Sequence, residues 1–378
     1  MAHTLPVTIE GPKGRLDSTF GEATDPAQRA VCYDLAASAF GAPLSGPEYH
    51  EREEYLGGRP LLRDGGWRFW CLASAEDPLL VYATCKTIRR DLLVKDGAGA
   101  DENGGDGGVR MEPGYCIAAV VTHGRFRGYG LAAALLRHVA EWLDAPGRCY
   151  ASMLYTIVGD FYVDKGWQTF PVSQGTILTP DADISEALDV PQTRTLEADE
   201  ITELCQRDVQ QLKQSFSQLD ANDEGIHMAV LPTHEMVSLL RDRASFISSK
   251  MCPGRKHVVG AACASGDAWM YWYHDLRSHQ LTIQRIHLAQ ETSTSQAEDV
   301  ASLFTCALKE AQNWDMPRVV VWNVTPVIDQ ALKLLHDRYK IKSSVEDEAQ
   351  NNIPSLRMRG GSRTGRVRWH FNEFYAWS

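Results

Sequence analysis

Apolar positions along the first part of the chain change rhythm several times. In DPAQRAVCYDLAASAF, Ala30, Leu35 and Phe40 fall on one broad face, and Asp25-Pro26 supplies a cap and a first-turn proline, so the spacing predicts a helix. A Gly/Pro connection, GAPLSGPE, leads to a second predicted helix in YHEREEYL. WRFWCLA, LLVYATCKTI and YCIAAVV then read as strands, the last two separated by GAGADENGGDGG. That stretch carries no apolar area to bury and is expected to be a solvated, mobile hairpin loop. Beyond it come an arginine- and glycine-rich turn, a helix to about Leu143, a strand around CYASMLYT, a helix around GDFYVDKG and a strand around TILT.

The text changes at TPDADISEALDVPQTRTLEADE, acidic and poor in aromatics, which suits a surface linker. This sets the expected organisation: a domain over residues 1–178, a linker over 179–200 and a domain over 201–378. In the second domain ITELCQRDVQQLKQSF is amphipathic, and HVVGAACA, AWMYWYHD and LTIQRIHL read as strands. Val300, Phe304, Ala307, Leu308 and Ala311 mark a helix, followed by the strand RVVVWNV and the helix IDQALKLLHDRY. Three strands, helix, strand, helix is also the order of the first domain's core. The fold class is α+β around mixed sheets, and the second half is either a degenerate repeat of the first or an unrelated domain of the same class.

Composition narrows the partners. A net charge of -11 argues against general binding to nucleic acid or anionic lipid, both of which need a basic face, so neither is expected as a partner, although it leaves room for local basic clusters. Nine cysteines without a CxxC pair suit reduced core thiols, with no metal site expected. No segment has the apolar length of a signal peptide or a membrane span, so the expected compartment is the cytoplasm.

The chemistry is carried by HGRFRGYGLAAALLRHV, which follows the apolar run CIAAVV. Glycines at the start of a helix leave backbone amides open to an anion, which the helix dipole favours. A Walker loop needs GxxxxGK and is absent. A dinucleotide fingerprint forced onto Gly128, Gly130 and Ala133 lacks the ribose-binding carboxylate, since CYAS stands where it should be. The remaining reading is RxxGxG after a strand. There Arg125, Gly128 and Gly130 resemble the GCN5-related N-acetyltransferases, and the downstream Tyr162-Val-Asp-Lys-Gly166-Trp167 is similar to that family's next helix. In the second half, EAQNWDMPRVVVWNV, NNIPSLRMRG and VRWHFNEFYAW resemble the fungal lysine N-acetyltransferases of lysine catabolism.

The resemblance implies acetyl-CoA as cosubstrate, held by Ala119, Val120, Val121, Arg125, Phe126, Arg127, Gly128, Tyr129, Gly130, Leu131 and Tyr162. It implies direct acetyl transfer to a small-molecule primary amine, with the side chain of free lysine as the leading acceptor. A polyamine, an amino sugar or a secondary metabolite is the neighbouring alternative, and a non-catalytic acyl-CoA-binding protein the distant one. Tyr162 matches the family's proton donor to the thiolate, and an amide around Ala119 to Val121 would hold the oxyanion. YCIAAVV carries no carboxylate, where the superfamily often places its base. The candidates are then Glu51, Glu53, Glu54, His123 and Glu373, with Glu53 and Glu373 put forward, or a water chain. Arg357, Arg359, Arg363, Arg366 and Arg368 are candidates for a substrate carboxylate. AQETSTSQAED offers no phosphate cradle, so the second domain is expected to wall the amine side of the cleft.

Overall fold

The computed structural model describes residues 4–97, 108–181, 192–220, 225–289, 296–348, 351–361 and 367–377. Most of the glycine-and-acid loop, the centre of the acidic linker, most of AQETSTSQAED, and Arg363 and Arg366 lie outside the described residues.

The first half opens with a hairpin, β1 (Leu5–Gly11) and β2 (Gly14–Glu22), followed by α1 (Pro26–Phe40) and α2 (Gly46–Gly57). Asp25 caps α1 by accepting from the amides of Ala27 and Gln28 at 2.9 and 3.0 Å. Strands β3 (Trp67–Ser74), β4 (Val81–Asp96) and β5 (Val109–Thr122) form an antiparallel meander. Helix α3 (Leu131–Leu143) buries Leu131, Leu135, Leu136, Val139 and Leu143 against it and leads to β6 (Ala151–Thr156). The helix expected around GDFYVDKG is a 3-10 run, Gly159–Lys165, and β7 (Gln168–Thr169) and β8 (Gln174–Leu178) follow.

The second half contributes β9 (Thr193–Thr195), α4 (Glu200–Gln218), β10 (Ile226–Val230), α5 (His234–Met251), β11 (Gly260–Cys263), β12 (Ala268–Asp275) and β13 (Gln280–Leu288). It continues through α6 (Gln296–Asn313), β14 (Arg318–Trp322), α7 (Pro326–Tyr339), β15 (Ser343–Glu346), β16 (Ile353–Met358) and β17 (Val367–Trp369).

The two sheets exchange strands. The first runs β1-β2-β3-β4-β5-β6-β16-β7, with β10 paired to the far end of β4 and β17 to β10; the second runs β15-β8-β14-β13-β12-β11-β9. Strand β16 from the second half therefore separates β6 from β7, while β8 from the first half is built into the second sheet. The partition at residue 178 follows the chain and not the sheets. Central β4 is covered on both faces, which explains how Arg90 can be fully buried in it. Its guanidinium donates to the carbonyl of Ala376 at 3.2 Å from both Nε and Nη2.

Both sheets open in the middle. Strands β5 and β6 pair in parallel only over Gly114–Cys116 and Ala151–Met153, then diverge. Strands β13 and β14 pair only at Leu281–Val319 and Thr282–Val320. In the second sheet the opening is filled by the tail: Glu373 pairs with Arg285 and accepts from the amide of Ile286 at 3.1 Å, and Asn323 donates to the carbonyl of Asn372. Phe374 packs on Tyr273 and Trp322. No such segment enters the first opening among the described residues.

Candidate functional site

The site grows from the junction of β5 and α3. Opposite β4 the register slips: Thr84 faces Val121 but Lys86 faces Ala118, leaving an extra residue on β5. Ala119 takes a left-handed φ of 50°, unusual for a residue with a Cβ, and Ala118, Ala119 and Val120 are only half-buried. The bulge lies just beyond the point where β6 departs, and it breaks the regular ladder there.

Beyond it, the imidazole Nδ1 of His123 accepts from the amide of Arg125 at 3.2 Å, fixing a tight turn. Gly128 and Gly130 follow with φ of 87° and 77°, values that glycine adopts without strain. Helix α3 begins directly after Gly130 and has no side-chain cap, so its first amides are unclaimed. A Cβ on Gly130 would meet no atom within 4 Å. This open cradle fits a pyrophosphate. Over Gly128 lies Lys13, whose Nζ donates to the carbonyl of Arg127 at 2.7 Å. Lys13 comes from the β1–β2 turn, where the sequence reading placed no site residue. A cleft of about 830 Å³ continues along α3, lined by Tyr129, Gly130, Ala133, Arg137 and Lys165 among others. Arg137 and Lys165 are further cations that the motif alone did not single out.

Tyr162 is held by the motif around it. Gly166 ends the 3-10 run with φ 96°, the amide of Trp167 donates to the Tyr162 carbonyl at 3.1 Å, and buried Trp167 donates from Nε1 to Ser152 at 3.1 Å. The Gly-aromatic pair thus anchors the turn in the core, with Tyr162 packed against the α3 cluster. Burial, with a smaller contribution from nearby Cys85, raises its phenol pKa to about 12. The hydroxyl keeps its proton at neutral pH, as a proton donor must.

The proposed bases fare differently. Glu53 is fully buried, with Oε1 2.5 Å from Arg52 and Oε2 2.8 Å from Lys86. Burial disfavours its charge, but the two cations outweigh that and hold its pKa at about 2. So weak a base is unsuited to taking a proton from an ammonium, and its geometry is that of a structural ion pair. Glu373 is engaged with Arg285 and Ile286 inside the second sheet, which removes it from the Ala119 opening. Glu51 pairs with Lys250 at 2.5 Å, Glu54 accepts from the Tyr33 hydroxyl at 2.9 Å, and His123 caps the phosphate loop.

Among the arginines, Arg357 is committed to Asp144, while Arg359 and Arg368 are exposed. The structure instead brings Arg243 of α5 toward the Glu53 cluster. It went unremarked in the sequence because nothing in RDRASF distinguishes it from a surface helix residue.

Comparison with known proteins agrees with this geometry. Residues 176–378 match the family described as the LYC1 GNAT-like C-terminal domain. A lysine acetyltransferase of Yarrowia lipolytica is 23% identical over 344 residues, covering 80% of this chain and 83% of its own. Among solved structures, a probable N-acyltransferase of Enterococcus faecalis superposes with a TM-score of 0.52 at 12% identity, over 90% of this chain and 72% of its own. A GCN5-related N-acetyltransferase of Anabaena variabilis gives 0.51 at 11% identity, over 90% and 73%. The opened, bulged first sheet and the family match across more than half of the sequence lead to one assignment: the chain belongs to the LYC1 GNAT-like family, within the GCN5-related N-acetyltransferase superfamily.

Proposed function

We propose that this protein is an N-acetyltransferase that moves an acetyl group from acetyl-CoA to a small-molecule primary amine, with the side-chain amine of free lysine as acceptor. The observation that carries the reading is the joining of an open glycine cradle at Gly128–Gly130 to a sheet that parts at the Ala119 bulge. One feature suits a pyrophosphate and the other a thioester, and both lie on one continuous segment. The relative named as a lysine acetyltransferase supports the choice of acceptor.

When bound, acetyl-CoA supplies an acetyl group activated as a thioester. The amides of the α3 N-terminus would hold its phosphates, with Arg125, Arg127 and Lys13 adding charge. The bulge amides at Ala119 to Val121 would donate to the carbonyl oxygen, a role worth about 3 kcal/mol for one well-placed donor. Tyr162 Oη would hold the proton that the departing sulfur needs.

The test is thiol release from acetyl-CoA across a panel of amines. Saturable release with lysine, and identification of the side-chain amide by mass spectrometry, is the expected result. Tight CoA binding with no release for any amine would favour a non-catalytic acyl-CoA-binding protein.

A further inference from the structure

The face of β4 that carries Lys86, Ile88 and Arg90 meets both halves of the chain. Glu53 of α2 closes on Lys86, Leu239 of α5 shares a cluster with Ile88, and Arg90 holds the Ala376 carbonyl. Helices α2 and α5 are fastened to each other by Lys250–Glu51 at 2.5 Å and by the rings of Tyr55 and Phe246 at 5.3 Å, and Arg59, just beyond α2, pairs with Asp242 of α5 at 3.5 Å. The face is therefore walled.

Charge is unbalanced inside it. Both oxygens of Glu53 are taken, one by Arg52 and one by Lys86. Among the described residues no acceptor pairs with Arg243: its guanidinium lies 5.6 Å from the Trp377 ring centroid, and its Nε is buried without a hydrogen-bond partner. The hydroxyl of Tyr49 is likewise buried, with Arg52 as its polar neighbour and no hydrogen bond of good geometry, and both groups feel the charges of Arg52 and Glu53. A half-buried guanidinium with a buried, unused Nε donor is completed by an anion, and a carboxylate matches its planar fork. Lys86, in the same cluster, is the register partner of Ala118, next to the bulge where the acetyl group would be presented. Arg243, an electrostatic neighbour of Lys86 and Glu53, thus belongs to the cluster on the β4 face that adjoins the bulge.

Building on the N-acetyltransferase reading, we propose that Arg243, with the Tyr49 hydroxyl, receives a carboxylate of the acceptor. The substrate class is then an amine that also carries a carboxylate, such as a free basic amino acid, and not a simple polyamine.

The experiment compares full-length wild type with Arg243→Gln, Arg243→Lys and Tyr49→Phe, using lysine and its des-carboxy analogue cadaverine. Wild type should prefer lysine by at least on the order of tenfold in kcat/KM. Arg243→Gln should lower kcat/KM for lysine on the order of 100-fold, mainly through KM, and change that for cadaverine by less than about threefold. Calorimetric titration of lysine into the CoA-bound protein gives a second readout that needs no turnover: binding present in wild type and lost in Arg243→Gln supports the carboxylate receptor. Equal losses with both amines, or undiminished lysine binding in the variant, overturn it. Absence of thiol release with every amine would strike the catalytic reading alone, because the titration still decides the receptor. Should Arg243→Gln fail to fold, Arg243→Lys and Tyr49→Phe must show the same lysine-selective loss in smaller measure.

Discussion

Arg357 and Asp144, 213 positions apart, share a two-point ion pair, with Nη1 to Oδ1 at 2.7 Å and Nη2 to Oδ2 at 2.6 Å. The pair ties β16 of the second half to the C-cap of α3 in the first. The Asp144 carboxylate also accepts from the amide of Gly360 at 2.9 Å. Its two oxygens are thus used to fasten the exchanged strand, and the arginine is unavailable for substrate. Arg357→Ala should destabilise the fold by about 2 kcal/mol and lower the melting temperature by a few degrees. The lysine-to-cadaverine ratio should stay as in wild type. A thermal melt and the amine panel check both halves of the statement; an altered ratio would return Arg357 to the acceptor site.

Gly128→Val should weaken CoA binding severely. The position holds φ 87°, and its Cβ would stand 2.8 Å from Lys13 Cε, so a branched residue meets both backbone strain and a filled space. Arg127→Ala should act more mildly. Calorimetric titration with CoA distinguishes them, and unchanged affinity in a folded Gly128→Val protein would remove the phosphate-loop assignment.

Tyr162→Phe should lower kcat on the order of ten- to a thousandfold with CoA affinity nearly intact, since only a proton donor is lost. With its pKa raised to about 12, the wild-type phenol stays protonated through the neutral and mildly alkaline range, so no loss of rate from this group should appear below about pH 10. Rates of the two proteins across pH provide the check; wild-type turnover in the variant would assign the proton to water or another residue.

Glu53 makes stability depend on acid. Its folded pKa of about 2 lies below the ordinary 4.5, so its contribution is present above 4.5 and is lost as pH falls through that range toward 2. Glu53→Gln leaves Arg52 and Lys86 buried without their counterion and should cost about 3–5 kcal/mol at neutral pH. Melting temperatures should drop steeply on acidification for wild type and less so for the variant. Parallel curves would show that other carboxylates govern acid unfolding.

The geometry of the proposed cofactor side was legible because its signals are local. Arg125 to Gly130 and Tyr162 to Trp167 act through turns and a helix start, and each motif fixes its own geometry. The buried charge cluster on β4, where the acceptor is proposed to bind, was not, because its residues acquire meaning only through distant partners. Glu53 reads as one of several surface acids in YHEREEYL until Arg52 and Lys86 enclose it, and Arg243 reads as a solvated helix residue until Trp377 covers it. Strand exchange was also invisible: nothing in NNIPSLRM states that it pairs with CYASMLYT rather than with its own sequence neighbours. The hairpin β1–β2 escaped notice because β1 turns only Val7 and Ile9 inward, too brief an alternation to stand out beside GPKG.

The position of β16 has a consequence for how the chain is made. During synthesis β6 emerges early, yet the strand that completes its outer edge is encoded almost two hundred residues later, after every helix of the second half. Until residue 358 has left the ribosome, one edge of β6 presents unpaired backbone groups, and β8 waits for β14 in the same way. The second sheet has all its strands once residue 346 is made, whereas the first must wait for β16 until residue 358, so the nascent first sheet remains exposed to misassociation until nearly all of the chain is available.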